Sequence, residues 1–137
     1  MGVFGKIDLT GETHTLPAGR YAATITDSRV VKNRDGDALW LFITLDAHTD
    51  DGEALGQVED KFITIAAREG SPAHSRLREG LKKLALYGIA CGVDLNGKEP
   101  DEIPGLLTSN SLKAVISRRG VGVQAENRVV AVLPVQE

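Results

Sequence analysis

A single stretch of helical spacing, Ser71 to Gly92, stands in a chain whose remaining periodicity is that of strands. Leu77, Leu81, Leu84 and Gly88 recur every three or four residues there, while Arg76, Arg78, Lys82 and Lys83 largely cover the other side. Ser71-Pro72 reads as an N-cap followed by proline in the first turn, and Gly92 is placed to end the helix. Three strand-like segments precede this helix and two follow it. Any fold for the chain must therefore place a helix after the third of five strands.

The first strand, Arg20 to Asn33, alternates Tyr21, Ala23 and Ile25 against Ala22, Thr24 and Thr26. It is long enough to bend around a barrel. Arg34-Asp35-Gly36-Asp37 then gives a hairpin signal, because Asp and Gly both tolerate positive φ. The second strand, Ala38 to Ala47, puts Leu39, Leu41, Ile43 and Leu45 on one face and Trp40, Phe42 and Thr44 on the other. His48 to Val58 reads as a polar, acidic loop. A short third strand, about Asp60 to Ala66, sets Phe62 and Thr64 opposite Lys61, Ile63 and Ile65. After the helix, Val93 to Asn110 reads as a connecting loop. Leu112 to Arg118 and Asn127 to Pro134 form the last two strands, joined by the glycine-bearing Arg119–Ala125 stretch.

Three strands, a helix and two strands is the order of the OB fold, a five-stranded Greek-key barrel. The expected fold is thus mainly β, an OB-like barrel (β-β-β-α-β-β) with its helix between strands 3 and 4. The expected organisation is an N-terminal arm, 1–16, and a single OB-like domain, 17–137. A chain of 137 residues can bury a continuous core without staples. One cysteine, Cys91, excludes an internal disulfide framework and fits a reducing compartment. No run approaches the roughly 20 apolar residues of a membrane span, and the first residues lack a secretory pattern. A cytoplasmic setting is the expectation.

The net charge of −3 counts against a general attraction to nucleic acid, but the charges are segregated. Asp46 to Asp60 holds six acids and no base, Lys61 to Ala90 six bases against two acids, and Leu112 to Arg128 four bases against one acid. If the aliphatic face of strand 2 fills the barrel, Trp40 and Phe42 point outward, with Phe62 of strand 3 near them. That face is the usual OB ligand platform, and stacking a base on such a ring is worth about 1–3 kcal/mol. Arg29, Lys32 and Arg34 lie at the first hairpin. Arg118, Arg119 and Arg128 flank the last loop. These loops border OB clefts, where cations would meet phosphates. Two alternatives stand beside this reading: the rings pack on the N-terminal arm or a dimer partner, and the loop arginines are simply solvated.

Signals for catalysis fail. Gly120-x-Gly122-x-x-Ala125 imitates a dinucleotide fingerprint but is followed by a strand rather than a helix. His14, His48, His74 and Cys91 share no metal-ligand spacing, and Asn33-x-Asp35-Gly36-Asp37 departs from a calcium loop in its glycine and its final position. No nucleophile stands with a base. No cofactor, no metal and no enzymatic activity are expected.

Several short motifs together resemble those of a family of small phage and prophage replication-module proteins. They are Leu16-Pro17-Ala18-Gly19-Arg20-Tyr21 opening strand 1, Asn33-Arg34-Asp35-Gly36 before a hydrophobic strand, Gly52 and Gly56 before Phe62, Leu84 to Gly92 ending the helix, and Asn127-Arg128-Val129. The resemblance spans about Leu16 to Pro134. It implies an OB-like single-stranded DNA-binding protein working beside replication or recombination proteins. From residues and resemblance together, the expected function is non-catalytic single-stranded DNA binding. A protein-interaction or homo-oligomeric accessory module using the same aromatic face is the first alternative, and an oligosaccharide-binding barrel the second.

Overall fold

The computed structural model describes residue 5 and residues 15–121 and 125–136. Most of the expected arm, and positions 122–124 of the last loop, lie outside the described residues. Five strands, β1 (Gly19–Lys32), β2 (Ala38–His48), β3 (Ala54–Ala67), β4 (Ser111–Arg119) and β5 (Glu126–Leu133), pair antiparallel in the order β3-β2-β1-β4-β5. Helix α1 (Leu77–Cys91) stands between β3 and β4, as its spacing predicts. The sheet is not closed: β3 and β5 are its two edges.

The aliphatic face of β2 fills the core as expected, with Leu41, Ile43 and Leu45 fully buried. Ile25, Leu112, Ala114 and Ile116 meet them from β1 and β4. The alternation of β1 does not run straight through. A bulge falls between Ile25 and Asp27, so the inward set changes phase from Tyr21, Ala23 and Ile25 to Ser28 and Val30. An extra residue of this kind bends a strand and increases its twist. It lets β1 serve β4 with its first half and β2 along its length.

The two sheet edges come within reach of each other, and the chain just before β1 ties them. The Asn127 side chain accepts from the Leu16 amide at 2.8 Å and donates to the Leu16 carbonyl at 2.8 Å and the Ser117 carbonyl at 3.2 Å. The buried Leu16 side chain rests on Gly56 of β3, where a Cβ would stand 3.3 Å from Leu16 Cδ2. Leu16 thus belongs to the core. Helix α1 crosses both β3 and β5.

Several expectations are corrected. β3 begins at Ala54, six residues earlier than expected. The acidic loop shrinks to a turn in which Thr49 bonds Gly52 and Glu53, and the rest of His48–Val58 pairs with β2. Flanking glycines and acids concealed a strand that alternates only weakly. Ser71 does occupy an N-cap position with Pro72 in the first turn, but of a 3₁₀ helix over Pro72–Arg76; its hydroxyl makes no cap bond and donates back to the Arg68 carbonyl at 2.7 Å, and α1 starts at Leu77. Leu81, assigned to the inner face, is 44% exposed because Gly80 takes the contact with β3. The connecting loop 93–110 contains a short helix, α2 (Ile103–Leu107), whose Ile103 and Leu107 are buried. At the first hairpin only Gly36 has positive φ (+74°). The turn is held instead by the Asn33 carboxamide, which accepts from the Asp37 and Ala38 amides. Among the described residues no helix is long and apolar enough to cross a membrane.

Candidate nucleic-acid interface

On the face of β2 away from the core, Trp40, Phe42, Thr44, Asp46 and His48 follow one another at every second position. Cross-strand register sets Val31 beside Trp40, Arg29 beside Phe42, Asp27 beside Thr44 and Thr24 beside Asp46. From β3, Thr64 faces Trp40, Glu59 faces Thr44 and Gln57 faces Asp46. The row through Phe42 is irregular. Leu41 pairs with Ile63 and Ile43 with Asp60, leaving Lys61 and Phe62 together opposite the single residue Phe42. This is a β-bulge, and Phe62 occupies it at φ +60°.

The bulge changes what β3 presents. Simple alternation puts Lys61 inward beside Ile63 and Ile65; in the structure Lys61 and Phe62 are both exposed, while Ile63, Thr64 and Ile65 are all buried. Phe62, 56% exposed, stands edge-on to Trp40 (centroids 4.9 Å apart, 87°) and to Phe42 (5.0 Å, 71°). Trp40 and Phe42 lie 6.4 Å apart, each half-buried. All three rings predicted for the site therefore form one cluster on the outer face. Edge-to-face contacts of this kind add about 0.5–1.5 kcal/mol per pair beyond area burial. An aromatic residue rarely tolerates left-handed backbone, which costs on the order of 1–3 kcal/mol. That cost is offset here by the two ring contacts the bulge makes possible.

The cations divide into those that reach the rings and those that do not. Arg29 lies over the Phe42 ring, its Cζ 5.3 Å from the centroid. Arg34 sits at the tip of the β1–β2 turn, exposed. Lys32 pairs with Leu39 and so takes the register of the opposite face from Arg29. At the β4–β5 hairpin, Ser117 pairs with Arg128 and Arg119 with Glu126, which sets Arg119 and Arg128 on one face and Arg118 on the other. β4 pairs with β1 only from Gly19 to Thr24, so this hairpin and the Asn33–Asp37 turn lie at opposite ends of β1.

Arg128 nevertheless shares a groove with one of the rings, Phe62. A groove of about 740 Å³ runs between the sheet edges, lined by Asp60, Lys61 and Phe62 from β3, Lys83 from α1, and Glu126 and Arg128 from β5. Its Arg128–Glu126 pair (3.4 Å) and Lys61–Glu59 pair (3.2 Å) are both exposed, and such pairs are weak and readily exchanged. Lys61 was not among the expected site residues, because the one-residue slip of the bulge leaves no mark in a pattern of period two.

Beneath the groove, the buried carboxylate of Asp60 accepts from Lys83 Nζ at 2.6 Å and from the Tyr87 hydroxyl at 2.7 Å. Burial first, then the neighbouring Asp60 charge, hold the Tyr87 hydroxyl well above its ordinary value of 10. This network joins β3 to α1 and fixes the groove floor. The Cys91 thiol is pushed up to about 11 by burial, so it stays protonated at neutral pH. His48 is engaged by the Thr24 hydroxyl at 3.2 Å and the Thr49 carbonyl at 2.9 Å.

Electrostatically the outer face is two-sided. Arg29 and Lys61 border the rings, whereas Asp27, Asp46 and Glu59 occupy the two rows beyond Phe42. A polyanion is favoured across the ring row and disfavoured along the acidic rows. The chain matches no protein-family model and no curated protein sequence.

Proposed function

We propose that the chain is a non-catalytic single-stranded DNA-binding protein with an OB-like barrel, acting in a phage or prophage replication or recombination module. The single observation that carries this reading is the cluster of Trp40, Phe42 and Phe62 on an outward sheet face, with Arg29 laid against one of its rings. Strand order, the helix after β3, and edges drawn together through Leu16 and Asn127 support the OB-like description. The short motifs shared with phage replication-module proteins support the setting.

The charge distribution selects a path. Strands two apart in a sheet are separated by about 10 Å, so a chain of nucleotides crossing β1, β2 and β3 passes Arg29, then Phe42 and Phe62, then Lys61. Continuing over the groove it reaches Arg128. This route runs across the strands and avoids Asp27 and Asp46, while Glu59 and Glu126 lie along it in exposed pairs with Lys61 and Arg128, which phosphates would have to replace. Bases stack on the ring faces, a contact available to any base, so sequence preference is weak. Phosphates meet Arg29, Lys61 and Arg128, with Lys32, Arg34, Arg118 and Arg119 as outer cations.

The test is a titration of labelled oligo-dT at two salt concentrations. The reading requires binding whose log–log salt slope is about −2, at roughly −0.7 per phosphate contact for the three central cations. Absence of binding at low salt refutes it. Binding with a flat salt dependence refutes the cationic part.

A further inference from the structure

We infer that the chain forms a two-fold homodimer through the exposed face of α1. Leu81, Ala85 and Ile89 follow at four-residue steps on that face, large, small and large, and all three are exposed (Leu81 44%, Ile89 65%). They border a second groove, about 680 Å³, between α1 and the segment from Val93 to Ile103, lined mainly by apolar side chains. Apolar surface of this kind beside a groove marks an interaction site rather than a solvated helix face.

The occupant is indicated by a symmetry within the pattern. Two copies of α1 packed antiparallel about an axis at Ala85 bring Leu81 of each against Ile89 of the other, and the small Ala85 residues let the backbones approach. Charge follows the same symmetry. The start of α1 is basic at Arg76 just before it and at Arg78 and Lys82 within it, all exposed, against one exposed acid, Glu79. The segment beyond its end is acidic at Asp94, Glu99, Asp101 and Glu102, against one base, Lys98. Antiparallel pairing directs the basic end of each helix toward the acidic segment of the other, the self-complementarity that a two-fold interface demands. A parallel arrangement would set like charges together. The rings of the proposed DNA face do not line this groove, so dimerisation leaves them open and supplies two DNA faces per particle.

The test is sedimentation equilibrium on the full chain without DNA, over micromolar to sub-millimolar concentrations. The expected mass is twice that of the chain. Ile89→Asp should raise the dissociation constant by roughly 30-fold or more, the size of effect seen at interface hot spots. Arg78→Glu and Asp94→Arg should each weaken the dimer about tenfold, and the two together should restore it. These positions are exposed, and circular dichroism of each variant verifies its fold. A chain that stays monomeric throughout overturns the proposal. So does a dimer indifferent to Ile89→Asp, or one lost instead in Phe62→Ala, which would move the contact to the aromatic face.

Discussion

Phe62 and Trp40 meet edge to face at 4.9 Å, and Phe62 achieves this from a left-handed backbone at φ +60°. The conformation is unfavourable for the residue, so what holds it is the environment: a bulge opposite Phe42 and two rings to lean on. More than half of Phe62 faces solvent, so little of its value lies in core burial. Phe62→Ala should therefore change folding stability by no more than about 1 kcal/mol, since loss of ring contacts is set against little buried area. It should weaken oligonucleotide binding by about fivefold or more, the lower end of stacking energies. Urea denaturation and the binding titration, run on one preparation, check both.

Gly80 presents the opposite situation, a residue whose side chain must be absent. A Cβ built there would overlap the carbonyl of Thr64, so α1 crosses β3 at backbone contact. Gly80→Ala should cost about 3 kcal/mol, at the upper end for overpacking, because backbone on both sides has to move. Without that contact the same change in an exposed helix would stabilise it by up to about 1 kcal/mol. The sign of the change in thermal midpoint decides.

Tyr87 predicts a pH dependence. Its folded-state value lies above the unfolded one, so the folded protein keeps a proton that the unfolded chain releases once pH passes 10. The contribution is fully present below that point and is lost as pH rises toward the folded value, at up to about 1.4 kcal/mol per pH unit. Tyr87→Phe should remove this alkaline component. At neutral pH it should cost about 1–3 kcal/mol, because the buried Asp60 carboxylate keeps Lys83 but loses its second donor. Equilibrium unfolding at pH 7 to 11 measures both effects.

Much of this could be read from residue order alone, where one period dominated. The β2 alternation separated Leu41, Ile43 and Leu45 from Trp40 and Phe42, and the helical spacing after Ser71 located α1 between β3 and β4. What escaped shares a physical cause: a local exception to the period. The bulge at Lys61–Phe62 shifts β3 by one residue, which hid Lys61 as a surface cation and buried Thr64. The bulge after Ile25 changes the phase of β1. Gly80 turned Leu81 outward, since a helix that touches a strand through glycine rotates its neighbouring leucine to solvent. The start of β3 was masked by acids and glycines that pair through their backbones whatever their side chains. Asn127 gave no warning that it clamps Leu16, 111 residues away, because such contacts are fixed only by the finished topology.

The chain has one tryptophan, and it stands in the proposed site. Its fluorescence during titration with oligo-dT at low salt reads the central claim directly. Bases stacking across the Trp40, Phe42 and Phe62 cluster should quench the emission saturably, and added salt should reverse it. Oligo-dT that binds while Trp40 emission stays unchanged through saturation would contradict the account, placing the nucleic acid elsewhere on the molecule.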